Sequence, residues 1–221
     1  MKLLVLIIAA LVLLAIGALA VFVFVIQNVE TPDYVTVERD GAFEIRDYPS
    51  LVVAEAIGSG SRREALSAGF GMLARYIFAR ERGGGKIAMT APVIQQRSES
   101  IAMTAPVTQS RAPDGEWVVR FILPAEYGLG QLPAPVNPDV RLKEMSAQRR
   151  AAVRFSGSTK DAALAEREAA LRDWMVARGL DAAGPAVYAY YNDPFTPGFL
   201  RRNEVLIDIA VQVTEAKTPP D

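Results

Sequence analysis

The chain of 221 residues carries 24 basic and 25 acidic side chains, with no histidine and no cysteine. That composition excludes disulfides, Ser-His and Cys-His nucleophile pairs, and nearly all zinc sites. Lys2 is the one charged residue before Glu30, so the rest carries 23 basic and 25 acidic residues, net −2, without a basic footprint for nucleic acid.

Leu3 to Ile26 is an unbroken apolar run without charge or proline. Rising about 1.5 Å per residue as a helix, it is long enough for a bilayer core of about 30 Å, so residues 1–29 are expected to be a transmembrane anchor. A cleavable signal peptide is the alternative, with Ala18-Leu19-Ala20 as its cut. Such a peptide has an apolar region of about 7–15 residues, whereas here the run continues through Val21 to Ile26. Lys2 precedes the run, while Glu30 and Asp33 follow it. Basic flanks stay cytoplasmic, which predicts a single pass through the inner (cytoplasmic) membrane with the main domain periplasmic or extracytoplasmic. A cytoplasmic domain is the alternative orientation. Residues 30–213 suffice for one domain with a sizeable core, and residues 214–221 are expected to be a disordered tail.

Tyr34 to Arg39 predicts a strand, Asp40-Gly41 a tight turn, and Phe43 to Tyr48 the returning strand. Leu51 to Ile57 is a third. Ser61 with Glu64 forms a capping-box start, and Leu66, Phe70, Leu73 and Ile77 then recur at helical spacing. Gly83-Gly84-Gly85 ends that helix; with Lys86 it lacks the spacing and the Ser or Thr of a phosphate loop. The string IAMTAPV occurs twice, at Ile87 to Val93 and Ile101 to Val107. Each copy is read as a strand ending at a proline, which cannot donate to a ladder. Trp117 to Leu123 is a strand, and residues 124–138, with four prolines and two glycines, a linker. Val140 to Met145 and Ala151 to Phe155 are strands. Ser158 with Asp161 begins a second helix reaching about Arg178, and Val187 to Tyr191 and Glu204 to Val213 are closing strands. Each half reads strand, strand, helix, strand, strand, and the fold class is α+β.

Tyr76-Ile77-Phe78 followed by Lys86 to Val93 resembles the central signature of the SOUL haem-binding protein family. Tyr191-Asn192-Asp193-Pro194-Phe195-Thr196-Pro197-Gly198-Phe199-Leu200-Arg201-Arg202-Asn203-Glu204-Val205 resembles a second signature, and Phe43-Glu44-Ile45-Arg46-Asp47-Tyr48 the family's first hairpin. The resemblance implies a distorted antiparallel β-barrel of two pseudo-symmetric halves with two flanking helices. It also implies non-covalent binding of haem or a related tetrapyrrole beside the first helix, at Leu66, Phe70 and Leu73 with Arg75 nearby. An apolar stripe at helical spacing is more often core, so both readings of that face stand.

Without histidine, the formal axial ligands are Met72, Met89, Met103, Met145, Met175 and seven tyrosines. Met89 and Met103 are weak candidates, because a methionine in an apolar strand is usually a flexible core filler. Arg201-Arg202-Asn203-Glu204 is read as a loop anchor in preference to a carboxylate clamp. No acidic pair stands out, Glu166 and Glu168 reading as a solvated helix face, so the chain is expected to be a binder and not an enzyme. The alternative function is an effector-binding-like module for another planar or amphiphilic small molecule, a fold-level analogy.

Overall fold

The computed structural model describes residues 30–78, 101, 104–192 and 196–210, together with helical positions 2, 7, 10, 11, 13, 14 and 17. The expected anchor thus lies almost wholly outside the described residues. The tail, the first IAMTAPV copy with Met89, the Gly83-to-Lys86 stretch and Met103 lie entirely outside them. Among the described residues no helix is long and apolar enough to cross a membrane.

The elements run β1 (Val35–Asp40), β2 (Phe43–Tyr48), β3 (Leu51–Gly58), α1 (Arg62–Ile77), β4 (Val107–Arg111), β5 (Trp117–Ile122), β6 (Val140–Met145), β7 (Gln148–Phe155), α2 (Asp161–Val176), β8 (Val187–Tyr190) and β9 (Asn203–Asp208). Gly41 at φ 60° makes the turn between β1 and β2 that Asp40-Gly41 announces. All nine strands join one antiparallel sheet in the order β1-β2-β7-β9-β8-β4-β5-β3-β6. With β1 set aside, that order is symmetrical about the β8–β4 pair. Each half lends its first strand to the other, β2 pairing with β7 and β6 with β3.

The expected barrel is corrected: the sheet does not close, and β1 and β6 are its edges. The edge strands explain why. β1 is exposed along its length and carries Glu38-Arg39-Asp40, while β6 carries Arg141, Lys143 and Glu144. Charged edges deter further pairing. The second IAMTAPV copy is corrected too, because of its described residues only Val107 is strand. Its amides go singly to separate partners, Ile101 N to the Ile77 carbonyl and Ala105 N to that of Glu30. Pro106 has no N–H to offer a ladder.

One core packs beneath α1, from Ala54 and Ala56 of β3, Leu73 and Ile77 of the helix, and Val119 and Phe121 of β5. The other lies beneath α2, with Ala151, Val153, Leu171, Met175, Val205 and Ile207. The Ser61–Glu64 capping box is formed as expected. A Cβ at Gly69 would lie 2.7 Å from the Val119 side chain, so only glycine lets α1 approach β5 this closely. The second helix starts after Lys160, which supplies no side-chain cap, and ends at Val176. Ser158 instead accepts a 3.3 Å bond from the Lys160 amide.

Candidate functional site

The four residues proposed from sequence share α1 but not one environment. Leu73 is fully buried in the core, and Leu66 is half-buried against it. Phe70 is 39% exposed, its ring edge-on to Phe121 at 5.2 Å. Arg75 is exposed in the last turn. The buried line of the helix runs through Ala65, Gly69, Leu73 and Tyr76. It centres on Gly69 because that is where the backbones meet, and this rotates Leu66 and Phe70 to the flank. Phe70 is thereby left partly exposed, while Arg75, five residues on, points roughly 140° further round the helix.

Most of the described iron-ligand candidates are engaged within the protein. Met175 is buried under α2, and Met72 packs against the core under α1. Met145 is half-buried on the edge strand β6. Five tyrosine hydroxyls are tied. Tyr48 accepts from Arg46 and Tyr190 from Arg62, while Tyr76 donates to the Pro133 carbonyl, Tyr188 to Glu168 and Tyr191 to Glu204. Burial pushes the Tyr48, Tyr188 and Tyr191 phenols up, and that of Tyr190 up to about 12. Neutral phenols are poor ligands for iron. Those five hydroxyls are therefore committed within the protein.

Sequence reasoning missed a buried charge network built from the two outer signatures. Arg46 of β2 donates to Glu204 of β9 at 2.8 and 3.2 Å and to Glu44 at 2.6 Å. Arg202 reaches Glu204 at 2.9 Å, and the Tyr191 hydroxyl donates to it at 2.7 Å. The Arg46 guanidinium also lies 4.3 Å over the Tyr34 ring. Burial alone would push the Glu204 carboxyl up, yet Arg46, Arg202 and Tyr191 hold it below the ordinary value. The available signal was period two: Glu44, Arg46 and Tyr48 share one face of β2.

The network bears out the anchor reading of Arg201 to Glu204. Arg201 donates to the Thr196 carbonyl, and the Arg202 amide to Asn192 at 2.6 Å. The side-chain amide nitrogen of Asn203 is left without a partner among the described residues. Glu168 is no simple solvated residue, since it bridges Arg172 and Tyr188. Among the described residues no cluster of acidic side chains assembles a metal site.

The cavities among the described residues include two of similar size. One of about 420 Å³ lies between the starts of both helices, against Arg62, Arg111, Trp117, Asp161, Leu164 and Tyr188. The other, about 380 Å³, sits by residues 30–33 and the loop after β5, with Glu30, Asp33, Leu51, Leu123, Tyr127 and Glu144 in its wall. Neither is lined by Leu66, Phe70, Leu73 or Arg75.

A family model described as SOUL heme-binding protein matches residues 29–208. Among solved structures, the chain is similar to the EcmrR C-terminal domain at 9% identity and TM-score 0.52, over 80% of this chain and 98% of that one. It is similar to EcmrR in a DNA complex at 10% identity and TM-score 0.53, over 78% and 59% of the two chains. A hydrolase from Listeria innocua aligns at 11% identity and TM-score 0.46, over 82% and 93%. At such identities the likeness shows the fold alone. No curated protein matches the chain.

Proposed function

This chain belongs to the SOUL heme-binding protein family, and from that premise we propose that it binds haem or a related tetrapyrrole non-covalently, without histidine ligation. The observation that carries the reading is the family match across residues 29–208. Partly exposed Phe70 on α1 supports it, and Arg75, five residues on and roughly 140° further round the helix, would have to reach a propionate by its long side chain. Phe70 and Leu66 would take the porphyrin face and Arg75 a propionate, with Leu73 acting from below as packing. A bound haem would supply a large planar apolar ring and two carboxylates. We read the chain as a binder and not an enzyme, held in the inner membrane by residues 1–29 with its domain in the periplasm.

The test is titration of the full-length chain with haemin, followed by the Soret band. Binding at micromolar haemin is expected, with weaker binding in Phe70→Ala and Arg75→Gln. No Soret shift at those concentrations would overturn the reading. Accessibility of a fusion partner placed after residue 210, from either side of the membrane, tests the orientation. A second reading is an effector-binding-like module for another planar or amphiphilic molecule. It is favoured by the cavity at the helix starts, whose lining shares no residue with the α1 flank. A dye that binds there without displacing haemin would support it.

A further inference from the structure

The cavity between the helix starts has a definite chemical character. Its aromatic wall is Trp117 of β5 with Tyr188 of β8, ring centroids 6.4 Å apart and tilted 41°. Leu164 and Ala165 of α2 close the opposite side. Two arginines line it, and they are held differently. Arg62 is buried, donating to Asp161 at 2.7 Å, to Tyr190 at 2.8 Å and to the Thr159 carbonyl at 2.7 Å. Those bonds occupy three of its five N–H groups. Arg111 is exposed at the end of β4, its guanidinium 4.8 Å from the Trp117 ring centroid. Among the described residues it has no carboxylate partner.

The one acidic group in the lining, Asp161, is already engaged by Arg62. Glu64 accepts from the lining Ser61 and Glu168 from the Tyr188 hydroxyl, so the cation that faces the pocket without a carboxylate partner among the described residues is Arg111. The volume of about 420 Å³ falls within the roughly 300–1,000 Å³ of small-ligand clefts. We propose that this cavity binds a planar aromatic anion, its ring against Trp117 and Tyr188 and its carboxylate on Arg111 and the free N–H groups of Arg62. The site goes beyond the haem reading and does not rest on it.

The probe is 2-naphthoate, titrated calorimetrically into the full-length chain in detergent, with protein-free micelles as the blank. Submillimolar binding is expected, together with quenching of tryptophan emission. Neutral 2-naphthalenemethanol should bind far more weakly. Arg111→Gln should weaken naphthoate binding about tenfold or more, through loss of a charge-assisted hydrogen bond. Ala165→Trp fills the cavity from an exposed helix position and should abolish naphthoate binding while leaving haemin binding and Tm unchanged. The proposal is overturned if naphthoate fails to bind at millimolar concentration. It is equally overturned if the neutral analogue binds as well, or if either variant leaves naphthoate affinity intact. Loss of haemin binding in Ala165→Trp would overturn the claim of a separate site.

Discussion

Beneath α1, the first half of the sheet packs Ala54, Leu73, Val119 and Phe121 and keeps its ion pair, Arg120 with Glu55, partly exposed at 3.1 Å. Across the β8–β4 pair, the second half closes over Arg46 and Glu204, which retain only 1% and 0% of their accessible surface. The strand order is the same in both. A shared topology thus dictates where strands lie, while each half fills its interior with different chemistry. Taking two charges from water costs several kcal/mol per ion before their attraction is counted. Glu204 avoids isolation because Arg46, Arg202 and Tyr191 all donate to it. Its role is to join β2, β9 and the loop 191–202 at one point, and these are the segments that carry two of the family signatures.

The sharpest break in this contrast is Glu204→Leu. It leaves buried Arg46 with Glu44 as its one carboxylate among the described residues and takes the carboxylate from partly exposed Arg202, and is expected to lower stability by about 3–5 kcal/mol, read by denaturant unfolding. The double change Glu204→Leu with Arg46→Leu should lose less than the single one; a loss equal to the sum of the two single changes would mean the pair is uncoupled. The pH dependence follows from the same group. Because the folded carboxyl sits below its ordinary value, its contribution is fully present above the unfolded value of about 4.3. It is lost as pH falls through the lower folded value. Acid unfolding monitored by near-ultraviolet circular dichroism should therefore show a shallower pH dependence in Glu204→Gln.

In the apolar half, Gly69→Ala tests close approach. Alanine gains about 1 kcal/mol over glycine in a helix, which offsets only part of an overpacking cost of about 1–3 kcal/mol. A lowered Tm is expected; an unchanged or raised one would show that β5 yields readily at Val119. The smallest effects compare the helix starts. Ser61→Ala should lose about 1 kcal/mol by removing the cap of α1. Lys160→Ser should gain up to about 1 kcal/mol at the uncapped start of α2. Thermal melts of both variants check the pair, and equal signs would contradict the asymmetry.

Local grammar was readable wherever the rule acts within a few residues. Asp40-Gly41 announced its turn, Ser61 and Glu64 their box, and apolar runs the strands β3 and β5. The helix face was read one step off, because Leu66, Phe70, Leu73 and Ile77 satisfy the periodicity while Gly69, with no side chain, marks the true contact line. FEIRDY was legible as a strand, but nothing near it in the chain says that Glu204 will arrive 158 residues after Arg46. The cavity at the helix starts was equally hidden, its lining coming from β4, β5, β8 and both helices.

The sequence by itself determined the absence of histidine and cysteine chemistry, the apolar run of Leu3 to Ile26, the α+β order of elements and the family signatures. These rest on composition, on backbone sterics and on residues close along the chain. Tertiary structure alone decided that the sheet stays open, that Phe70 faces outward while Leu73 is sealed, and that the charges of two signatures meet in the interior. Those outcomes depend on which distant surfaces are brought together. A side chain's desolvation and its partners exist only once they are.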